Sequence, residues 1–213
     1  MLLRLQDTVF SEDGTREKEL AYRMYRAYGN KRILEQMYPS IQRWIGYIEE
    51  KAANHIPLKH RLNPKYWFNK KAKELQKYLW NTGLHYGDWM VPSKTSGSMA
   101  GAAKGILTKA LVVPAYYCYT LQITAQIAEI LGKTEDVKKY RATIEKVKEA
   151  YDYYYIRKDG TMPTDLQGVY VLTLHFGLIP EHKRENAAKT LIKMIEDNGN
   201  RLDTGFASTE FLL

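Results

Sequence analysis

The sequence holds a single cysteine, Cys118, which excludes an internal disulfide and any zinc site built from several thiolates. No run approaches the eighteen or so apolar residues that a membrane-crossing helix requires. Neither G-x-x-x-x-G-K-[ST] nor G-x-G-x-x-G occurs, so the glycines of residues 81–110 do not form a phosphate loop. His55, His60, His175 and His182 show no ligand spacing, and no metal is expected. The opening stretch, MLLRLQDTVFSEDG, turns acidic too soon to read as a secretory signal, and the compartment stays open. No segment shows convincing strand alternation.

What remains is an ordinary globular composition, with 45% apolar and 26% charged residues. The 213 residues suffice for one domain, or for part of a larger one, with a sizeable core. Lys and Arg number 32 against 24 Asp and Glu, a net charge of +8. The basic side chains are densest from Lys59 to Lys77, where Tyr66, Trp67 and Phe68 interrupt them. No nucleic-acid module surrounds that stretch, so the charge reads as solvated helix faces, and no nucleic-acid or membrane partner is expected. Tyr outnumbers Phe 17 to 5, beside four Trp. Tyr and Trp suit surfaces that are half dry and half wet; sugar pockets and helix interfaces both qualify.

Helical spacing dominates. Glu17 to Tyr28 reads as a helix stopped at Gly29-Asn30, and Ile33, Leu34, Met37, Tyr38, Ile41, Trp44, Ile45 and Ile48 form an apolar stripe in the next. Pro39 is read as marking a helix start. Pro114 to Leu131 is expected to be helical and stopped by Gly132, with Thr134 capping a helix that runs to about Tyr155. Thr164 to Phe176 and a helix opened by Pro180-Glu181 form a third pair, the second member turning Ala187, Ala188, Leu191, Ile192 and Ile195 inward. A last helix is expected from Ser208 onward. About eight helices joined by short turns make a chain of α-hairpins, which builds either a solenoid or a toroid. No fixed repeat period appears, and the irregular segment 81–110 argues against a solenoid and for a functional loop. The apolar close, Phe211-Leu212-Leu213, suggests a cut inside a larger domain.

Four blocks then carry a resemblance. AYRMYRAYGNKRILEQMYPSIQRWIGYIE (21–49), KYLWNTGLHYGDWMVP (77–92), AYYCYTLQITAQIAEILGKTEDVKKYRATIEKVKEAY (115–151) and TDLQGVYVLTLHFGLIPEHKRENAAKTLIKMIEDNGNRLDTGFAS (164–208) resemble, in order and spacing, segments of bacterial α-L-rhamnosidases. The resemblance implies an all-α fold, helical hairpins forming part of an (α/α)6 toroid. Residues 1–213 would be a partial six-hairpin catalytic domain with residues 1–20 as an unmatched lead. It implies hydrolysis of a terminal α-L-rhamnoside with inversion, without a cofactor, by two carboxyl groups about 6.5–9.5 Å apart across the sugar. The rhamnose-containing carbohydrate would meet Asp88 and Trp89 of the Gly-Asp-Trp loop, with His85 beside them. A ring packs on the sugar's C–H face while a carboxylate accepts from its hydroxyls. The same pair also fits a buried Trp with Asp capping the following turn.

The sequence departs from the family where chemistry is concerned. The family's acid belongs to an Asp-Glu-Arg-Leu-Gly-Trp string, absent here, and its base to a Trp-Glu motif beyond the Thr-Gly-Phe strap, whereas no Trp follows Trp89. The expectation is therefore a fragment, inactive by itself, whose catalytic residues are unknown. Asp165 is expected at a helix N-terminus, Asp203-Thr204-Gly205 as a cap, Glu210 not as a replacement base, and Cys118 as an inert core thiol. A partial toroid would expose an apolar edge and self-associate. The rival reading is a non-catalytic helical scaffold for a protein or peptide.

Overall fold

The computed structural model describes residues 11–83, 85, 87, 88, 90–92 and 108–212, without the side chains of 11–17 and 65. Most of the predicted functional loop, including Trp89, thus lies outside the described residues. Among the described residues all regular structure is helical. In chain order the helices are α1 (Ser11–Tyr28), α2 (Lys31–Asn54), α3 (Leu58–Arg61), α4 (Pro64–Phe68), α5 (Lys70–Gln76), α6 (Lys109–Ile130), α7 (Thr134–Tyr155), α8 (Gln167–His175) and α9 (Glu181–Asp197). A 3-10 turn, Thr209–Phe211, stands where a last helix was expected from Ser208 onward.

Contacts divide the chain into two units, and α6 and α7 contribute to both. The first unit takes residues up to Thr82 together with Tyr116–Ala150. Its α2 buries Leu34, Tyr38, Ile41, Ile45 and Ile48, the predicted stripe, while Ile33, Met37 and Trp44 stay half-buried at its margin. Asn30 starts α2 by accepting from the Arg32 amide at 3.0 Å, so Asn30 opens a helix rather than closing one. The helix then passes straight through Pro39. Proline there removes the donor to the Glu35 carbonyl, a cost of about 3 kcal/mol. Burial of Leu34, fully enclosed before the proline, and of Tyr38 beside it offsets that loss. Across the unit, Tyr38 donates to Asp136 of α7 at 2.6 Å and Tyr119 of α6 donates to Glu19 of α1 at 2.8 Å.

The second unit takes the described part of residues 83–115 together with 151–212. α6 begins at Lys109, five residues before the expected Pro114, because Leu111, Val112 and Val113 are all buried and keep the chain helical. The short α8 buries Val169, Tyr170, Val171 and Leu172 in succession, as an inner helix does. Gly132 and Gly177 end their helices with φ of 70° and 66°, as read. Lys133 takes the cap position before α7, its carbonyl accepting from Val137 at 3.0 Å, and Thr134 is already helical. Of the residues expected to turn inward on α9, only Ala187 is buried; Ile192 is 54% exposed. Cys118 is enclosed, and burial pushes its thiol up to about 12, so it stays protonated and unreactive.

Truncating the two kinds of apolar site separates core from uncovered face. Leu121→Ala, at a fully buried position of α6, is expected to cost about 2–5 kcal/mol in urea unfolding. Ile192→Ala on α9 is expected to change stability by less than about 0.5 kcal/mol.

Candidate functional site

The second unit gathers the polar motifs. Asp88 is completely buried, and its amide donates to Thr108 Oγ1 at 3.3 Å, just ahead of α6. Its carboxylate faces the turn 120 residues further on. Oδ2 accepts from the Ser208 hydroxyl at 2.7 Å and from the Gly205 amide at 3.1 Å, and Oδ1 accepts from the Ser208 amide at 3.2 Å. Burial pushes the carboxyl above its ordinary value of 3.8; the donors from Ser208 and Gly205 pull the other way without reversing it.

The third wall of this enclosure is a missing side chain. A Cβ on Gly168, in the first turn of α8, would sit 1.8 Å from Asp88 Oδ2 and 2.4 Å from Ser208 Oγ. Glycine inside a helix costs about 1 kcal/mol relative to alanine, so its presence marks a close approach. Here the approaching group is a carboxylate. Sequence reading passed over Gly168 and gave Ser208 only the start of a last helix; a glycine inside an apolar helix was the available signal for the first.

The Asp-x-Gln motif works through its glutamine. Gln167 is buried, donates to the Met194 carbonyl at 3.3 Å and the Arg201 carbonyl at 3.2 Å, and accepts from the Asp203 amide at 2.8 Å. One side chain thereby joins the start of α8, the end of α9 and the strap that follows. Asp165 stands one residue ahead of the α8 cap position. The cap position is Leu166, which makes no side-chain capping bond, and Asp165 is exposed. Within the strap, the Thr209 hydroxyl lies 2.9 Å from that of Thr204 and donates to the Gly205 carbonyl at 2.7 Å.

Beside this staple lies a cleft of about 520 Å³, lined among others by Arg157, Asp165, Gln167, Tyr170, Asp197 and Asp203. Three carboxyl groups and a guanidinium around an open polar cleft can exchange hydrogen bonds with a polyol. His85 is buried at 7% exposure, and Asp88 does not line the cleft. Glu210 is exposed on the 3-10 turn. Among the described residues no group of histidine, cysteine and carboxylate side chains could hold a metal ion.

Known proteins resemble this chain in sequence and fold. The model of the bacterial alpha-L-rhamnosidase 6 hairpin glycosidase domain matches residues 19–213. An alpha-L-rhamnosidase of Streptomyces avermitilis is 27% identical over 190 residues, covering 89% of this chain and 15% of that protein. One of Formosa agariphila is 26% identical over 195 residues, covering 91% and 18%. The crystal structure of the Streptomyces avermitilis enzyme complexed with L-rhamnose superposes with a TM-score of 0.65 at 28% identity, over 91% of this chain and 15% of that one. That of the native Aspergillus terreus enzyme gives 0.69 at 26% identity, over 91% and 20%. The chain therefore spans less than a fifth of the length of the curated relatives described here.

The Asp88 enclosure predicts both a size and a pH effect. Gly168→Ala forces the carboxylate or the Ser208 hydroxyl out of place and is expected to lower the unfolding free energy by about 2–4 kcal/mol. Because the folded-state pKa of Asp88 lies above its unfolded value, the group's contribution is fully present below about pH 4 and is lost as pH rises through the folded pKa. Asp88→Asn is expected to remove that downward slope from a urea-measured stability profile, at the cost of an amide placed among hydrogen-bond donors.

Proposed function

The chain belongs to the bacterial alpha-L-rhamnosidase six-hairpin glycosidase family, and on that premise we propose that it is part of a catalytic domain that hydrolyses terminal α-L-rhamnosides with inversion. Its fold is that of helical hairpins from the family's α/α toroid. The observation that carries the reading is the family match across residues 19–213, joined to a relative whose crystal contains L-rhamnose.

In this reading the chain contributes pocket wall and the proton-transferring carboxyls come from elsewhere. The Asp-Glu-Arg-Leu-Gly-Trp string and the Trp-Glu motif are both absent from its sequence. Burial raises the Asp88 carboxyl above its ordinary value, but with its side chain enclosed it cannot reach a leaving oxygen. We assign sugar contact to Trp89 and His85. Asp88 then acts on the sugar indirectly, by holding the strap in place. Each missing proton-transfer group is worth a factor of about 10²–10⁴, so the chain alone is inactive.

A second reading, the non-catalytic scaffold, draws on one observation. Ile192, Leu202 and Phe206 of the second unit are each more than half exposed. Apolar surface of this kind favours association with another chain or with a second copy.

Two measurements decide between these readings. Titration with L-rhamnose should quench tryptophan fluorescence of the intact chain in the millimolar range, Trp89→Phe should abolish the response, and p-nitrophenyl α-L-rhamnoside should not be turned over. Turnover by the chain alone overturns the fragment reading, and absence of rhamnose binding overturns the pocket. In sedimentation velocity the chain should show concentration-dependent association, which Ile192→Lys with Phe206→Lys should reduce; binding to a protein partner without any to rhamnose would favour the scaffold.

A further inference from the structure

The strongest feature left unused lies in the first unit, in α3, α4 and α5. Between Pro57 and Lys77 the sequence carries seven Lys and Arg and one acidic residue, Glu74. Structure turns this composition into a surface. Leu58, Leu62, Trp67 and Phe68 are exposed by 65%, 72%, 49% and 89%, a density of bare apolar side chains that soluble surfaces rarely carry. Lys59, Arg61, Lys70 and Lys71 are exposed among them. Solvated helix faces, the reading from sequence, account for the charges but not for the rings.

The Trp67 ring is tied down from two sides. Trp67 Nε1 donates to the Arg61 carbonyl at 3.0 Å, which ties α4 back onto α3. Tyr66, buried beneath, meets the Trp67 ring edge-on at 5.9 Å and stacks on His60 at 5.1 Å. Asn69 caps α5 by accepting from the Ala72 amide at 2.9 Å, and Ala72 and Leu75 anchor that helix inward. Beside Phe68, a hollow is lined by Pro64, Asn69 and Lys70.

We propose that this shelf, Leu58 to Lys71, docks an acidic polysaccharide, a polymer bearing uronate carboxylates. The choice of a glycan rests on the family reading above; the choice of an acidic one rests on the charge of the shelf. Exposed rings such as Trp67 and Phe68 pack against the C–H faces of sugar residues, and Arg61 and Lys70 pair with carboxylates spaced along the chain. A lipid surface is the less suitable occupant. α3 and α4 are four and five residues long, too short to lay an amphipathic helix into a bilayer interface.

The test uses the intact chain and fluorescently labelled polygalacturonate, with no rhamnose present, so its outcome is independent of the rhamnose titration. Binding is expected, weakening as salt rises from about 50 to about 300 mM. Arg61→Gln with Lys70→Gln should weaken it about tenfold and flatten the salt dependence. Phe68→Ala should weaken it about fivefold while leaving the salt dependence intact. Neutral dextran of equal length should bind far less. Absence of polygalacturonate binding, or binding that none of these variants changes, overturns the proposal. So does tighter binding to phosphatidylserine vesicles, to single-stranded DNA or to a sulfated glycan.

Discussion

A carboxylate removed from water must be solvated by the protein, and the polar end of the second unit is organised around that requirement at Asp88. Desolvation alone would force the group to stay neutral or the fold to open. The chain answers with the Ser208 hydroxyl and the Gly205 and Ser208 amides, drawn from a turn about 120 residues away. Those donors are available only if α8 approaches without a side chain, which Gly168 provides. They are oriented only if the strap between α9 and the 3-10 turn is held, which Gln167 and the Thr204–Thr209 contact provide. Glycine, glutamine and serine thus serve one buried carboxyl group.

The same requirement fixes Asp88 within the Gly-Asp-Trp loop. The resemblance draws attention to all of its residues together. The structure commits Asp88 to the interior, where it sets the position of the strap. Such a residue is as necessary to a site as one that touches the ligand, since a small displacement of the supporting turn alters every contact built on it.

The hairpins were legible because their signals are local. Apolar residues three and four apart specify α2, α6, α7 and α9, and a glycine just beyond the last turn closes α6 and α9, without reference to the rest of the chain. The errors arose where a local rule met tertiary burial. Pro39 and Pro114 were read as first-turn prolines, yet Leu34 on one side and Leu111, Val112 and Val113 on the other are enclosed, and their burial carries each helix through its proline. On α9 the reverse holds: spacing marks Ile192 as inward, but among the described residues nothing buries it. The partnership of Asp88 with Ser208 was not readable at all, because no spacing rule connects residues so far apart.

One junction has a mechanical meaning. Gly160, with φ of 84°, brings the turn after α7 so close to α9 that an added Cβ would stand 2.7 Å from the Lys183 carbonyl. Lys183 also pairs with Asp152 of α7, and the Asn186 amide reaches the Asp159 carbonyl. The first turns of α9 are therefore clamped, whereas its later turns carry the exposed Ile192. The helix behaves as a beam clamped at its root and pinned again near its close, where the Met194 carbonyl accepts from Gln167, and amide exchange with solvent should be slow at both supports.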